Sequence, residues 1–138
     1  IHPEQQSAAI FYSPKFAEKR RDVGVKFMKA YIRGCRAYNA AFRSDRKAAE
    51  FRELVGILTK WTSIKDEAVY ANMIPAGLRD DASLNMKSLK DDVDYYVSRK
   101  YLKAAPDFSK IVDLEFVEKA KAMLEPGKKA EKTKKKLS

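Results

Sequence analysis

The sequence is short of several residue types that site chemistry usually needs. Its 138 residues hold one cysteine, Cys35, one histidine, His2, and five glycines. A single cysteine excludes an internal disulfide, and a single histidine excludes any site built on two imidazoles. The glycines are too few and too scattered for a phosphate-cradling loop. No apolar run approaches the roughly 18 residues that a membrane-spanning helix needs. Acidic clusters are sparse: "DEA" at 66–68, Asp80 with Asp81, and "DDVD" at 91–94. Lys87, Lys90 and Arg99 stand beside the last of these, so it reads as a solvated, salt-bridged helix face. Cys35 has no histidine to activate it and reads as an inert thiol at the edge of an apolar face. No catalytic residue, no metal ligand and no cofactor is therefore expected, and the chain does not read as an enzyme.

What is present is a globular composition, 45% hydrophobic and 35% charged, with a net charge of +10. One domain with its own core is expected over 1–125. The stretch "GKKAEKTKKKLS" at 127–138 carries six lysines against one glutamate and no aromatic residue. Residues 126–138 thus read as a disordered, lysine-rich tail supplying half of the net charge. The chain begins "IHPEQQSAAIFYS", with neither an initiator methionine nor a signal-peptide pattern. It is expected to be part of a longer or processed protein.

The short apolar and aromatic run at 6–13 predicts one buried strand, and Ser13-Pro14 predicts a helix start. "KFMKAYIRGCRAYNAAFR" at 26–43 packs five cations and four aromatic rings into one helix. On a helical wheel Phe27, Tyr31, Gly34, Tyr38 and Phe42 share a sector of about 80°, opposite Lys26, Lys29, Arg33, Arg36 and Arg43. The four rings are predicted to be buried, with Lys26, Arg33 and Arg36 exposed. Gly34 is expected to admit another backbone. A single-strand nucleic-acid surface needs rings and cations on the same face, and this helix separates them. It reads as a packing element with a basic back.

Further helices follow. Ser44 or Asp45 is expected to cap one whose stripe is Ala49, Phe51, Leu54, Val55, Leu58 and Trp61. Thr62 or Ser63 should cap a short one carrying Val69, Tyr70 and Met73. Pro75 and Gly77 interrupt the pattern. Asn85 caps a helix with Met86, Leu89, Val93, Tyr96 and Val97 inward. "APDFSKIVD" reads as extended or turn-like. Asp113 caps the last helix, with Phe116, Val117, Ala120 and Leu124 on one face.

Three stretches, in order, carry a resemblance: "KAYIRGCRAYNAAF", the turn "PAGL" with "LN" following, and "KIVDLEFVEKA". Together they resemble the C-terminal part of bacterial ABC-transporter substrate-binding proteins that handle aliphatic sulfonates, taurine, nitrate or thiamine-pyrimidine precursors. The resemblance runs from about Pro3 to Leu124. It implies a bilobed α/β fold of the periplasmic-binding-protein type II kind, of which this chain is the last part, mostly α with one short strand. The sheet partners of 6–13 would lie upstream, leaving Ile10 and Phe11 uncovered. The implied partners are a small-molecule solute and a membrane permease, and the implied location is periplasmic or extracellular, with a lipid anchor possible. Most ligand-contacting residues would also lie upstream, so none is named here. A fungal enzyme family of the same fold makes the thiamine pyrimidine by sacrificing an internal histidine; His2 sits outside any such motif. The expected function is solute capture for an importer. The alternative is a small basic helical nucleic-acid-binding protein, with the tail giving only weak binding in the first reading.

Overall fold

The computed structural model describes residues 5–125, and these are helical wherever they are regular. Seven helices follow one another: α1 (Pro14–Lys19), α2 (Arg21–Arg43), α3 (Ala49–Trp61), α4 (Glu67–Asn72), α5 (Met86–Ser98), α6 (Phe108–Ile111) and α7 (Glu115–Leu124). His2 and residues 126–138, including the lysine-rich tail, lie outside the described part.

No strand occurs among the described residues, which overturns both the strand at 6–13 and the bilobed α/β fold. The reason is local. A strand needs a neighbour to satisfy its main chain, whereas this segment is anchored by side chains. The Gln6 amide donates to Ser88 Oγ at 2.9 Å, and Gln6 Oε1 accepts from the Asn85 amide at 2.8 Å. Tyr12 donates to the Gly24 carbonyl at 2.9 Å. Ile10 and Phe11 remain in solvent, Phe11 by 88%.

The chain divides into two compact units, one reaching to Met28 and resuming at Ser83, the other spanning Lys29–Ala82. In the first unit the core holds Val25, Met28, Phe116, Val117 and Ala120. Tyr12 stacks edge-on against Phe116 at 4.8 Å and leans on Phe16 at 5.1 Å. Gly24 makes this nest possible: a Cβ there would lie 2.7 Å from the Phe116 ring and 3.2 Å from Tyr12. Arg21 closes the nest from outside, its guanidinium 4.4 Å from the Phe116 centroid and bridging Asp113 at 2.7 Å and Glu115 at 2.8 Å. In the second unit Phe51, Val55 and Tyr70 form the core, with Phe42, Leu58 and Met73 packed on it. The Tyr70 hydroxyl is held by the Ile64 carbonyl at 3.0 Å and by Thr62 Oγ1.

Caps set most helix starts. Ser13, Asp66, Asn85 and Asp107 each accept a main-chain amide from the first turn that follows. Three expected caps fall elsewhere. Asp45 instead holds the Lys47 amide in a turn, and α3 begins after Ala48 with no side-chain cap. Thr62 and Ser63 lie outside the short helix, which Asp66 starts. Asp113 accepts from the Glu115 amide one residue ahead of the α7 cap position. The "DFSKIVD" stretch contains the single turn α6, because Asp107 satisfies the Ser109 amide and hydroxyl.

The buried face of α2 is not the aromatic one. Gly24 and Ala41 are buried as well, but the continuous buried line is Val25, Met28, Ile32 and Cys35, spaced three and four apart. This sector lies about 90° round the helix from the ring stripe. Phe27 and Tyr31 are 51% and 37% exposed, while Tyr38 and Phe42 are half-buried. Lys26 and Arg33 are exposed as expected, but Arg36 is half-buried. Gly34 meets no other backbone, since a Cβ there would touch nothing within 4 Å. On α3 the same correction applies to Trp61, which is 76% exposed. It sits on a sector with Leu54 and Ile57, away from the inward line of Phe51 and Val55. The inward residues assigned to α5 are at best half-buried, and Tyr96 is exposed.

Candidate functional site: the α2 clamp on residues 76–80

Pro75 and Gly77 prevent a helix after α4, so the main chain at 73–82 must find hydrogen-bond partners elsewhere. The C-terminal half of α2 supplies them. Arg36, Asn39 and Arg43 stand three and four residues apart, hence on one side of the helix. Asn39 Nδ2 donates to the Leu78 carbonyl at 2.7 Å and to Asp80 Oδ1. Arg36 Nε donates to the Asp80 carbonyl at 3.0 Å, and Arg43 lies 3.8 Å from the Asp80 carboxylate. Tyr38 turns its hydroxyl to the other end of the turn and accepts the Ala76 amide at 3.1 Å. The segment leaves the clamp through Ala82 at φ 54°, a left-handed conformation that costs a non-glycine residue.

Cys35 lies one helical turn before Asn39 and is 3% exposed. Burial pushes its thiol above the ordinary value, more than its hydrogen bond with Tyr31 lowers it; the Asp80 charge pushes the same way as burial. Burial likewise raises the Tyr31 hydroxyl, with the Cys35 contact adding to it. Both groups stay neutral near pH 7, so neither the thiol nor the phenol is ionised there. Its chemistry is that of a structural lock.

Each acidic cluster is engaged within its own unit. Asp66 caps α4, Asp80 belongs to the clamp, and Asp91 pairs with Lys87 at 2.6 Å. No group of three metal-ligating side chains occurs among the described residues. Among the described residues no helix is long and apolar enough to cross a membrane. The α2 cations are partly engaged: Lys26 lies 3.6 Å from Asp22, while Arg36 and Arg43 hold Asp80. Two open grooves occur, one of about 610 Å³ beside Val25 and Met123 and one of about 280 Å³ beside Val55 and Ala71.

Sequence reasoning missed Asn39 and Arg21, whose side chains bond to segments distant in the sequence. A signal for Asn39 was present: it continues the three-four spacing of Val25, Met28, Ile32 and Cys35, and a polar residue on a buried line needs a partner. Arg21 carried no such mark. Comparison with protein-family models, with curated proteins and with solved structures finds no match to this chain.

Proposed function

We propose that the chain serves in solute capture for a membrane importer, as part of a binding protein for a small sulfonate, nitrate or thiamine-pyrimidine precursor. The observation that supports this most is the clamp. Tyr38 and Asn39, from the stretch "KAYIRGCRAYNAAF", bind Ala76 and Leu78 of "PAGL". Two of the three stretches that carry the resemblance are thus one interlocked element, as they would be if kept together for a shared architectural role. In this reading α2 is scaffold, its rings and cations serve packing, and no solute contact is assigned to the described residues. The partners are the solute and a permease, on the periplasmic or extracellular side of a membrane.

The test is thermal-shift and calorimetric titration of the gene product that carries this chain with taurine, longer alkanesulfonates, nitrate and aminopyrimidines. Saturable binding of one class supports the reading. Absence of binding across all four would overturn it.

A second reading, a basic nucleic-acid-binding helix, gains from the exposure of Phe27 and Tyr31. Against it, the α2 cations lie on a different sector from those rings, and Arg36 and Arg43 are committed to Asp80. Single-strand DNA retention that falls with salt at a slope of about −0.7 per phosphate contact would favour this second reading.

A further inference from the structure

We infer that the outer face of α3 is a self-pairing seam, on which the same face of a second copy of this chain packs antiparallel. The inward line of α3, Phe51, Val55 and Leu58, is used by the core around Tyr70. A second apolar line, Leu54, Ile57 and Trp61, runs beside it at spacings of three and four residues. Leu54 is half-buried, Ile57 is 50% exposed and Trp61 76%. Three-four spacing is the a/d pattern of a coiled-coil seam, and exposed apolar stripes of this kind mark contact surfaces.

Charge selects the occupant. With Leu54 and Trp61 at a positions and Ile57 at d, the flanking g positions are Glu53 and Lys60. Glu53 has no ion-pair partner among the described residues, and the Lys60 ammonium lies over the Trp61 ring at 5.4 Å. In an antiparallel pair g faces g, so Glu53 of each copy meets Lys60 of the other, and Leu54 meets Ile57. A parallel, in-register pair would instead set Glu50, at the preceding d position, against its own copy. The pattern is therefore self-complementary in one orientation, which an arbitrary apolar partner would not require. Because the seam is only two turns long, the dimer is weak, half-formed at about 0.1 mM, in keeping with a small interface.

Trp61 is the one tryptophan in the chain, so its emission reports this face alone. Sedimentation equilibrium and tryptophan emission on the full chain, from about 5 µM to 1 mM, test the inference across its expected midpoint. The expected result is a monomer–dimer equilibrium with a blue shift that tracks dimer formation. Glu53→Lys and Lys60→Glu should each weaken dimerisation about tenfold, and the double variant should recover most of that loss. Ile57→Asp should abolish it with unchanged helicity, as all three positions are exposed. A chain monomeric throughout, a dimer with unmoved emission, or a double variant no better than the singles would each overturn the inference.

Discussion

Asn39 donates to the Leu78 carbonyl at 2.7 Å, a side chain replacing the main-chain partner that the broken helix at 73–82 lacks. Asn39→Leu should therefore cost about 1–3 kcal/mol, the penalty of an unsatisfied, partly buried carbonyl. Arg33→Ala, on the exposed side of the same helix, should change stability by less than about 0.5 kcal/mol. Urea titrations of both variants check the contrast; equal losses would remove the clamp's structural role.

Two glycines on α2 should respond in opposite directions. Gly24→Ala drives a methyl group against Phe116 at 2.7 Å and should cost about 1–3 kcal/mol by overpacking. Gly34→Ala meets nothing and should gain up to about 1 kcal/mol from helix propensity. Thermal unfolding of the pair is sufficient.

Lys100 ends α5 at φ 60°, donating to the Val97 carbonyl at 2.9 Å while Tyr101 donates to Tyr96 at 2.9 Å. This is the left-handed helix stop that glycine prefers, and Tyr96 against Tyr101 at 6.2 Å supplies its usual apolar contact. Lys100→Gly should stabilise by roughly 1 kcal/mol. A lower unfolding midpoint would contradict the geometry.

The Arg21 bridge sets an acid-side dependence. Burial pulls the Asp113 carboxyl up, but the Arg21 hydrogen bond, the Glu115 amide and nearby cations outweigh it, so the carboxyl titrates below its ordinary value. Lys119 and then Arg21 hold Glu115 low as well. Depressed carboxylates contribute stability above their unfolded pKa, and it is lost as pH falls through the folded one. The gap in melting temperature between wild type and Arg21→Gln should be widest near neutral pH, shrink below about pH 4, and narrow in salt. A gap independent of pH would mean that Arg21 acts only by stacking on Phe116.

Cys35 should resist alkylation in the native protein and react once it is unfolded, because burial both shields the thiol and disfavours its thiolate. Rapid native-state labelling at pH 8 would place the thiol in solvent.

By itself the sequence determined the starts of α1 and α5, because a side-chain cap is settled within four residues. Ser13 with Pro14, Asn85 and the apolar line Phe116, Val117 and Ala120 needed no knowledge of distant neighbours. It also determined that a single cysteine and a single histidine are present, which is a matter of composition. Tertiary structure decided which face each helix buries. Helix α2 carries an aromatic sector and an aliphatic one about 90° apart, and periodicity ranks both as apolar; the larger rings drew the expectation, yet Val25, Met28, Ile32 and Cys35 are buried. Trp61 on α3 went astray for the same reason. The run at 6–13 could be strand or anchored loop, since eight residues with a short apolar centre do not encode whether a pairing edge exists. Tyr12 and Gln6 decided it through bonds to Gly24, Asn85 and Ser88, contacts that only the folded chain brings within reach.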